Sequence, residues 1–492
     1  MRTDNKHPHS HALNIDDDFQ TSTSTSLLGF HLDSPRFIPH RFSSRRRRLI
    51  ITAASLISVL SLFLLAYLSL SNPSSRTPSI VSEDRNPQLV PTITWNRKSS
   101  LLGPPTDRFR DNLRNDTKYI TSWISAGWTN DVMTYGNLIY LAMLTERIPI
   151  IGPFTPSHIG GDAGNIAFGE VFDVDYLSKA IGIPVLEWSE VKNTSSQEIE
   201  DIGCWSVWQA VQTRESDPRL TNALPLQGLD ISFTAGPTWL QKIPGYEHDP
   251  HAHFWSIASL LYSPERENNL IEPQPSKVHG AVLSPDEHLA CFDYLYYVCG
   301  HTSFEYERDI SPAWRFVAKH FRWTNRLQTI SDGYLRRIFN VPNHDPIPPY
   351  IAIHARRAND FIVYCRDVPK EDCFPSIPTY QRRIAEIQDE TRERLGIVPQ
   401  HIIMLSDEED PAWWDSIRMV GWYTIDHVAE DTVNKYGRWY PVLIDAVIQS
   451  SGIGIIGMQQ STMSLLAGRR VQDWHNGVFK SVKWGTPHAD DH

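Results

Sequence analysis

The chain has 492 residues, more than the roughly 250–300 that a single hydrophobic core supports, so more than one domain is expected. Hydrophobic residues make up 41% and charged residues 21% of the sequence, which excludes a wholly disordered or fibrous protein. The 46 basic and 57 acidic residues give a net charge of −11, which argues against a nucleic-acid partner because phosphate contacts need a basic surface.

The N-terminal region predicts a membrane anchor. Residues 1–48 are polar and are interpreted as a disordered cytosolic tail, and residues 49–70 contain no charged side chain. As a helix, this uncharged segment is about 33 Å long, enough to span a bilayer. A buried soluble helix and a cleaved signal peptide are the alternatives, but the apolar part of a signal peptide has only about 7–15 residues.

The charges beside this segment predict its orientation. One arginine, Arg76, follows it closely, whereas five arginines precede it: Arg41, Arg45, Arg46, Arg47 and Arg48. Positively charged flanks stay in the cytosol, so we expect a single-pass type II protein of the Golgi or endoplasmic reticulum membrane. The rest of the chain is then lumenal.

The cysteines all follow the anchor, on the predicted oxidising side of the membrane. The close pairs Cys291/Cys299 and Cys365/Cys373 are candidate disulfides, which leaves Cys204 over, although the sequence does not fix the pairing. Residues 71–115 contain many Pro and Ser residues without apolar periodicity and predict a stem.

The folded part is predicted to begin near residue 118. A glycine turn, Gly127-Trp-Thr-Asn130-Asp131, is followed by apolar residues at helical spacing and then by the strand-like IPIIGPF. Backbone N–H groups at such a helix start can hold an anion, although many α/β proteins use similar turns only as connections. The prolines of HDPIPPY, at 344–350, predict a boundary.

Beyond that boundary, short apolar runs alternate with helical segments, which predicts a parallel sheet. The runs are YIAIHARR, HIIMLSDE, GWYTIDH and GIGIIGMQQSTMS. In such sheets ligands bind beyond the carboxyl ends of the strands. The polar residues at those ends are His354, Arg356, Ser406, Asp407, Ser461 and Thr462.

The first of these strands ends in a cluster of positive charge, within the sequence HARRANDF. The guanidinium groups of Arg356 and Arg357 and the imidazole of His354 suit a phosphate group, because arginine stays charged and binds two oxygens at once. The alternative is an ion pair between Arg357 and Asp360 on a solvated turn.

Several segments resemble the motifs of the protein O-fucosyltransferase family, whose members use GDP-fucose. HARRANDF resembles the family's H-x-R-R/x-x-D-F/W signature, GWTND with the following helix resembles its first motif, and LSDEE resembles its (A/S/T)-(T/S)-D motif. QSTMS resembles its final motif, and FGEVFDVDYL resembles a segment between the first motif and the centre. The matches occur in order from about 124 to 474.

The resemblance implies a GT-B-like α/β fold with two Rossmann-like domains and a nucleotide-sugar cleft. Residues 116–345 would form the acceptor-side domain and residues 346–485 the GDP-sugar domain. It also implies an inverting reaction that needs no metal or other cofactor, with GDP-fucose as the donor substrate. Arg356 would bind the β-phosphate and stabilise the departing GDP.

The resemblance also implies a set of residues that bind the donor. His354, Arg357 and Asp360 would contact or orient the nucleotide, and Asp407 would bind the guanine or its surroundings. The remaining implied donor-binding residues are Gly127 and Asn130, near the diphosphate, and Ser461, Thr462 and Met463, near the phosphates and base.

Two departures from the family pattern concern catalysis. One branch of the family has a glutamate base in the first motif, but here Ala126 precedes Gly127 and the nearest glutamate downstream is Glu146. Asp131 is the candidate base, with stabilisation of the helix N-terminus as its alternative role. Met463 replaces an aromatic residue of the final motif, which alters any stacking there.

Two further motifs suggest metals. Asp173-Val-Asp175 has the D-x-D form of metal-dependent transferases, but its position predicts the start of a helix instead. His248, His251 and His253 suggest zinc, but Pro250 interrupts them and a polar loop is expected.

Three functions are compatible with these patterns. The first is a fucosyltransferase that modifies a protein Ser/Thr hydroxyl or a glycan hydroxyl. The second is a non-catalytic lumenal protein that binds a nucleotide sugar or a client protein. The third is a transferase of the same fold with a different nucleotide sugar, since the arginine contacts only the diphosphate.

Overall fold

Two parallel β-sheets, one on each side of the prolines at 344–350, organise the fold. The structure, a computed structural model, describes residues 96–212, 217–219, 221, 227–246 and 249–490, except for the side chains of residues 359 and 360. All of these belong to one compact unit, Thr92–His492. The predicted tail and anchor, residues 1–70, lie outside the described residues. Within the described part, no helix has the length and apolar character needed to cross a bilayer.

The first sheet has the strand order β3-β2-β1-β7-β4-β5 and the second β11-β10-β9-β12-β13, and β6 pairs with β8 in a small separate sheet. All pairings within them are parallel. The strands are β1 Tyr119–Ser122, β2 Ile148–Ile151, β3 Leu186–Glu187, β4 Glu200–Ser206, β5 Leu229–Ala235, β6 Ala252–His253, β7 Leu289–Phe292, β8 Val298–Cys299, β9 Tyr350–Ala355, β10 His401–Ser406, β11 Tyr423–Thr424, β12 Gly454–Met458 and β13 Val478–Val482.

Helices connect the strands. The longer ones are α1 Trp128–Leu144, α3 Val174–Ile181, α9 Asn325–Phe339, α12 Ile377–Leu395, α13 Pro411–Met419, α15 Tyr440–Ser451 and α16 Thr462–His475. The short ones are α2 Phe168–Val171, α4 Trp188–Val191, α5 Trp208–Val211, α6 Phe254–Ser259, α7 Glu265–Asn268, α8 Pro312–Phe316, α10 Asn359–Ile362, α11 Lys370–Cys373 and α14 Thr432–Tyr436. Single 3₁₀ turns include Arg97–Ser100 and Phe109–Asp111.

The second sheet is covered on both faces, as its apolar strands predict. Every residue of β9 is buried, and alternate residues point to opposite faces. Ala352 belongs to the core that includes Leu443 of α15, whereas Ile351 and Ile353 belong to the core that includes Ile387 of α12. The predicted α/β class with parallel sheets is therefore confirmed.

The C-terminal part of the predicted stem is instead part of the fold. Leu101, Phe109 and Leu113 are buried in the same core as Trp188, and Arg97 forms an ion pair with Asp175. Three apolar side chains among many polar ones are too few to give a periodic signal, so the sequence pattern placed residues 96–115 wrongly outside the fold.

The disulfide expectation also needs correction. Cys204, predicted to be left over, is bonded to Cys291, and Cys299 is the buried free thiol. The reason is the sheet: Cys204 lies on β4 and Cys291 on the neighbouring β7, whereas Cys299 lies on β8 of a different sheet. The Cys365–Cys373 bond is present as expected.

Both large sheets reverse their strand order at a central pair of strands. In the second sheet the chain runs outward from β9 through β10 to β11, and then returns to β12 on the other side of β9. In the first sheet β1 is the corresponding strand, with β2 and β3 on one side and β7 on the other. Such switch points are where open α/β sheets bind ligands.

Candidate functional site

Two helix N-termini meet beyond the switch points of the two sheets. Gly127 is the N-cap of α1, which follows β1, and Ser461 is the N-cap of α16, which follows β12. The Thr129 and Thr462 hydroxyl oxygens, in the first turns of these helices, lie 2.7 Å apart. The first N–H groups of both helices therefore converge on one place, which is an arrangement that favours an anion.

Ser464 connects the α16 turn to the neighbouring strands. Its hydroxyl oxygen accepts a hydrogen bond from the Met458 N–H at 3.0 Å and lies 2.7 Å from Nδ1 of His354. This approach requires Gly457, because a Cβ atom there would lie 2.5 Å from the Cβ of Ser464. The predicted neighbours His354 and Ser461 are thus brought together by a third residue.

The environment of His354 favours a neutral imidazole. Its side chain is buried at the end of β9, and burial, together with the charge of Arg356, lowers its pKa to about 3. A neutral imidazole can donate one hydrogen bond and accept another. His354 therefore contributes polarity without positive charge, and the cationic character of this edge comes from arginine.

Arg356 is the partly exposed cation of the site, with 23% of its side chain accessible. Its guanidinium forms an ion pair with the Asp407 carboxylate and lies over the ring of Phe361, 5.4 Å from the ring centre. Asp407 also accepts hydrogen bonds from the N–H groups of Arg357 and Ala358, at 2.6 and 3.1 Å. Asp407, which the resemblance placed near the guanine, therefore holds the loop and the guanidinium of Arg356.

Arg357 has a different environment. Its guanidinium is buried, donates to Glu408 at 2.8 Å, and lies over the rings of Phe374 and Trp413. Lys370 also contacts Glu408; burial raises the pKa of that carboxyl group, but the two cations outweigh burial and lower it to about 2. The side chain of Asp360 lies outside the described part, and the described partner of Arg357 is Glu408.

Asp131, the candidate base, is completely buried in the first turns of α1. Its Oδ1 accepts a hydrogen bond from the N–H of Ala126 at 3.1 Å, and the backbone of Ser125 also interacts with the carboxyl group. Burial raises its pKa well above the ordinary range, which favours a protonated carboxyl group. This position fits stabilisation of the loop before α1.

The other predicted residues flank the meeting point of the helices. The N–H of Asn130 donates to the Gly127 carbonyl at 2.9 Å, and its Oδ1 is buried with no hydrogen-bond partner in the described part of the chain. Met463, next to Thr462, is partly buried against the core. Met463 therefore faces protein rather than standing free as a stacking surface.

One pair of residues was missed by the sequence analysis. Nε2 of His427 lies 3.0 Å from a carboxylate oxygen of Asp445, and the charge of Asp445 also acts on His354. Burial alone would lower the pKa of His427, but Asp445 outweighs it and raises the pKa. The signal was present in the sequence, since Asp445 is the one charged residue in the mostly apolar helix YPVLIDAVIQSS.

The competing metal motifs have other environments. Asp173 is the N-cap of α3 and accepts from the N–H of Tyr176 at 2.8 Å, as its position predicted. The histidines are not a simple polar loop: His251 is buried and its ring lies 5.4 Å from that of Tyr297, and His253 stacks on Trp255; His248 lies outside the described residues.

One described cluster has metal-ligand spacing. Its members are Asp201, Asp230 and His279, and their ligand atoms lie within 4.8 Å of one another. Asp201 and Asp230 lie near the amino ends of β4 and β5, at the opposite edge from the converging helices. Asp230 also accepts hydrogen bonds from Ser276 and from the N–H groups of residues 277–279, so this turn explains the cluster without an ion.

The sequence matches no protein-family model and no curated protein. The structure is similar to solved structures of POFUT1 and of a fucosyltransferase, NodZ. POFUT1 in complex with GDP-fucose is 14% identical with a TM-score of 0.47, and the match covers 76% of this chain and 99% of that chain. NodZ alpha-1,6-fucosyltransferase soaked with GDP-fucose is 11% identical with a TM-score of 0.33, over 72% and 92% of the two chains.

Proposed function

We propose that the chain is a fucosyltransferase that transfers fucose from GDP-fucose to a hydroxyl group. The observation that carries this proposal is the position of Arg356. Its guanidinium, oriented by Asp407, lies at the carboxyl edge of the second sheet, where α16 begins and contacts the first turn of α1. A diphosphate at this edge meets a fixed cation and two helix N-termini, which together suit a leaving group that gains negative charge.

The chemical step needs that stabilisation. When the bond between fucose C1 and the β-phosphate oxygen breaks, negative charge grows on the β-phosphate. Arg356 binds that charge more strongly in the transition state than in the ground state, and this difference lowers the barrier. In this proposal Arg356 stabilises the leaving GDP without a metal. The acceptor oxygen bonds to C1 from the opposite side as the bond to the β-phosphate oxygen breaks, which inverts the anomeric carbon, and the hydroxyl proton is released to water.

Base recognition is assigned to Asp445. Guanine presents N–H donors on one edge, and a carboxylate is the matching acceptor. Asp407 is engaged with Arg356, whereas Asp445 is partly exposed and uses one described oxygen for His427. His354, on which the charges of Arg356 and Asp445 both act, donates or accepts a hydrogen bond as a neutral ring. Thr462 and Ser461 contact the phosphates from the α16 side.

The acceptor and the cellular setting are also proposals. We propose a Ser/Thr hydroxyl of a protein as the acceptor, and a type II membrane protein of the Golgi or endoplasmic reticulum with its enzyme part in the lumen. The uncharged segment at 49–70 supports the anchor. The lumenal setting is supported by the two disulfides and by two acceptor sequences for N-glycosylation, Asn115-Asp-Thr and Asn193-Thr-Ser, whose asparagines are exposed.

A specific observation favours a second function. Asp131, the candidate base, is buried and its carboxyl group is held by the Ala126 N–H. Without a base that reaches the acceptor, the same site binds GDP-fucose and releases nothing. This alternative is a non-catalytic lumenal protein that binds a nucleotide sugar.

Ligand binding and turnover distinguish these functions. We expect GDP and GDP-fucose to raise the melting temperature of the protein. A ligand that binds only the folded state adds about 2.7 kcal/mol to the free energy of unfolding when its concentration is 100 times its Kd. GDP-mannose, which has the same base and a different sugar, tests recognition of the sugar. UDP-glucose, which has a different base, tests recognition of guanine. Preference for GDP-fucose with release of fucose supports the transferase, binding without release supports the second function, and preference for UDP-glucose contradicts both.

A further inference from the structure

A column of stacked groups runs between the two arginines of the site. The Arg356 guanidinium lies 5.4 Å from the ring centre of Phe361, and Phe361 stacks on Trp484 with ring centres 5.1 Å apart. Trp484 stacks in turn on Phe374 at 5.5 Å, with an angle of 14° between the rings. The guanidinium of Arg357 lies 5.0 Å from Phe374 at the other end.

Trp484 is the centre of this column and is tied to the α16 side of the site. Its indole N–H donates to the carbonyl of Gln459 at 2.9 Å, directly after β12. The next residue, Gly485, donates its N–H to the carbonyl of Cys373 at 2.8 Å. Cys373 is bonded to Cys365, four residues after Phe361, so this disulfide ties the segment that follows Phe361 to the residue that Gly485 contacts.

We propose that Trp484 is a positioning residue for Arg356, acting through Phe361. This inference rests on the proposed function, in which Arg356 binds the β-phosphate. Phe361 belongs to a helix of four residues, Asn359–Ile362, which offers little packing of its own. The indole holds the Phe361 ring, the ring face attracts the guanidinium, and the Gln459 bond fixes this support relative to the helix start at Ser461.

Loss of the Trp484 indole should affect binding of the β-phosphate and not binding of the rest of the nucleotide. A guanidinium that loses its aromatic support still carries charge, but it samples more orientations and binds one phosphate group less well. GDP has a β-phosphate and GMP does not. A change in Trp484 that acts through Arg356 therefore weakens GDP binding and leaves GMP binding unchanged, whereas general damage to the fold weakens both.

The test uses calorimetric titration of the full-length protein with GDP and with GMP. We expect Trp484→Leu to weaken GDP binding about tenfold with GMP binding unchanged, because it removes the aromatic face. Trp484→Phe keeps an aromatic ring in the column, so we expect it to retain most of the wild-type affinity for GDP. Trp255→Leu is the matched control, since this tryptophan is 55% exposed and stacks on His253, outside the column.

Two results overturn the inference. In the first result, Trp484→Leu binds both GDP and GMP with the wild-type affinities. In the second, it loses affinity for GDP and for GMP by the same factor. Arg356→Ala in the same titration separates this failure from failure of the proposed function. If Arg356→Ala loses the preference for GDP and Trp484→Leu keeps it, only the positioning role is wrong. If Arg356→Ala keeps the preference, the assignment of Arg356 itself is wrong.

Discussion

The hydroxyl groups of Thr129 and Thr462 lie 2.7 Å apart, although 333 positions separate them in the sequence. Each hydroxyl belongs to the first turn of a helix that follows a switch-point strand, one in each sheet. The contact therefore aligns the two helix N-termini on the proposed diphosphate position.

Two further hydrogen bonds connect the C-terminal part of α16 to residues 314 and 319. Asp473 accepts from the Trp314 indole N–H at 2.5 Å, and the Trp474 indole N–H donates to the Lys319 carbonyl at 2.8 Å.

The first prediction concerns this threonine pair. Thr129→Val keeps the shape of the side chain and removes the hydroxyl, so we expect a loss of about 1 kcal/mol in GDP binding. Thr462→Val should cause a similar loss, and the double variant should lose less than the sum of the two. Calorimetric titration of all four proteins with GDP measures this coupling. Strictly additive losses would mean that the two hydroxyls act independently.

The second prediction separates the roles of the two arginines. Arg357→Ala leaves the buried Glu408 with Lys370 as its remaining cation, so we expect a loss of about 3 kcal/mol in the free energy of unfolding. Urea unfolding measures this loss. Arg392→Ala is the control, because Arg392 is an exposed residue paired with Asp389 on α12. If Arg357→Ala has the same free energy of unfolding as Arg392→Ala, Arg357 does not have the structural role inferred from its buried ion pair.

The third prediction is a pH dependence at His427. Asp445, with smaller contributions from Asp426 and Glu430, outweighs burial and raises the pKa of His427 above its ordinary value of about 6.5. The stabilisation by this pair is therefore complete below pH 6.5 and is lost as the pH rises through the raised pKa. We expect the difference in melting temperature between wild type and His427→Gln to shrink from pH 6 to pH 9. A melting-temperature difference that grows from pH 6 to pH 9 would mean that the pKa of His427 is lowered in the folded protein rather than raised.

The fourth prediction concerns the disulfide between the strands β4 and β7. Replacing both Cys204 and Cys291 by alanine is expected to lower the free energy of unfolding by about 2–5 kcal/mol, because the bond closes a long segment of the chain. Cys299→Ser changes a buried thiol that forms no disulfide and serves as the control. Mass mapping of peptides after digestion checks the pairing itself, and a Cys291–Cys299 peptide would contradict the structure.

The sequence predicted the local elements of the site well. The apolar runs ending at Ala355, Ser406 and Met458 became neighbouring parallel strands, and Gly127 became the N-cap of a helix. These features depend on composition and spacing within a few residues, such as β-branched runs and a glycine before an apolar periodic segment. Local patterns were therefore enough to place His354, Arg356 and Ser461 at one sheet edge.

The partners of the charged residues could not be predicted in the same way. Arg357 pairs with Glu408 from the next strand end, and Arg356 pairs with Asp407, because β9 and β10 are neighbours in the sheet. The sequence patterns predicted the strands but not their order in the sheet, so they did not show which strand-end loops lie side by side. The aromatic support of Arg356 has the same origin, since Trp484 lies far along the chain and reaches Phe361 only after β13 joins β12.

If Arg356 stabilises the departing GDP, its removal slows the release of GDP from GDP-fucose, and this rate is measured in the presence of EDTA. The protein should begin no later than Thr92, because residues from 97 onward pack into the fold. We predict metal-independent GDP release by the wild type and a loss of about 10²–10³-fold in Arg356→Ala, the cost of one transition-state donor. Thermal unfolding of the variant should match the wild type. Release at the wild-type rate by Arg356→Ala would mean that this arginine does not stabilise the leaving group.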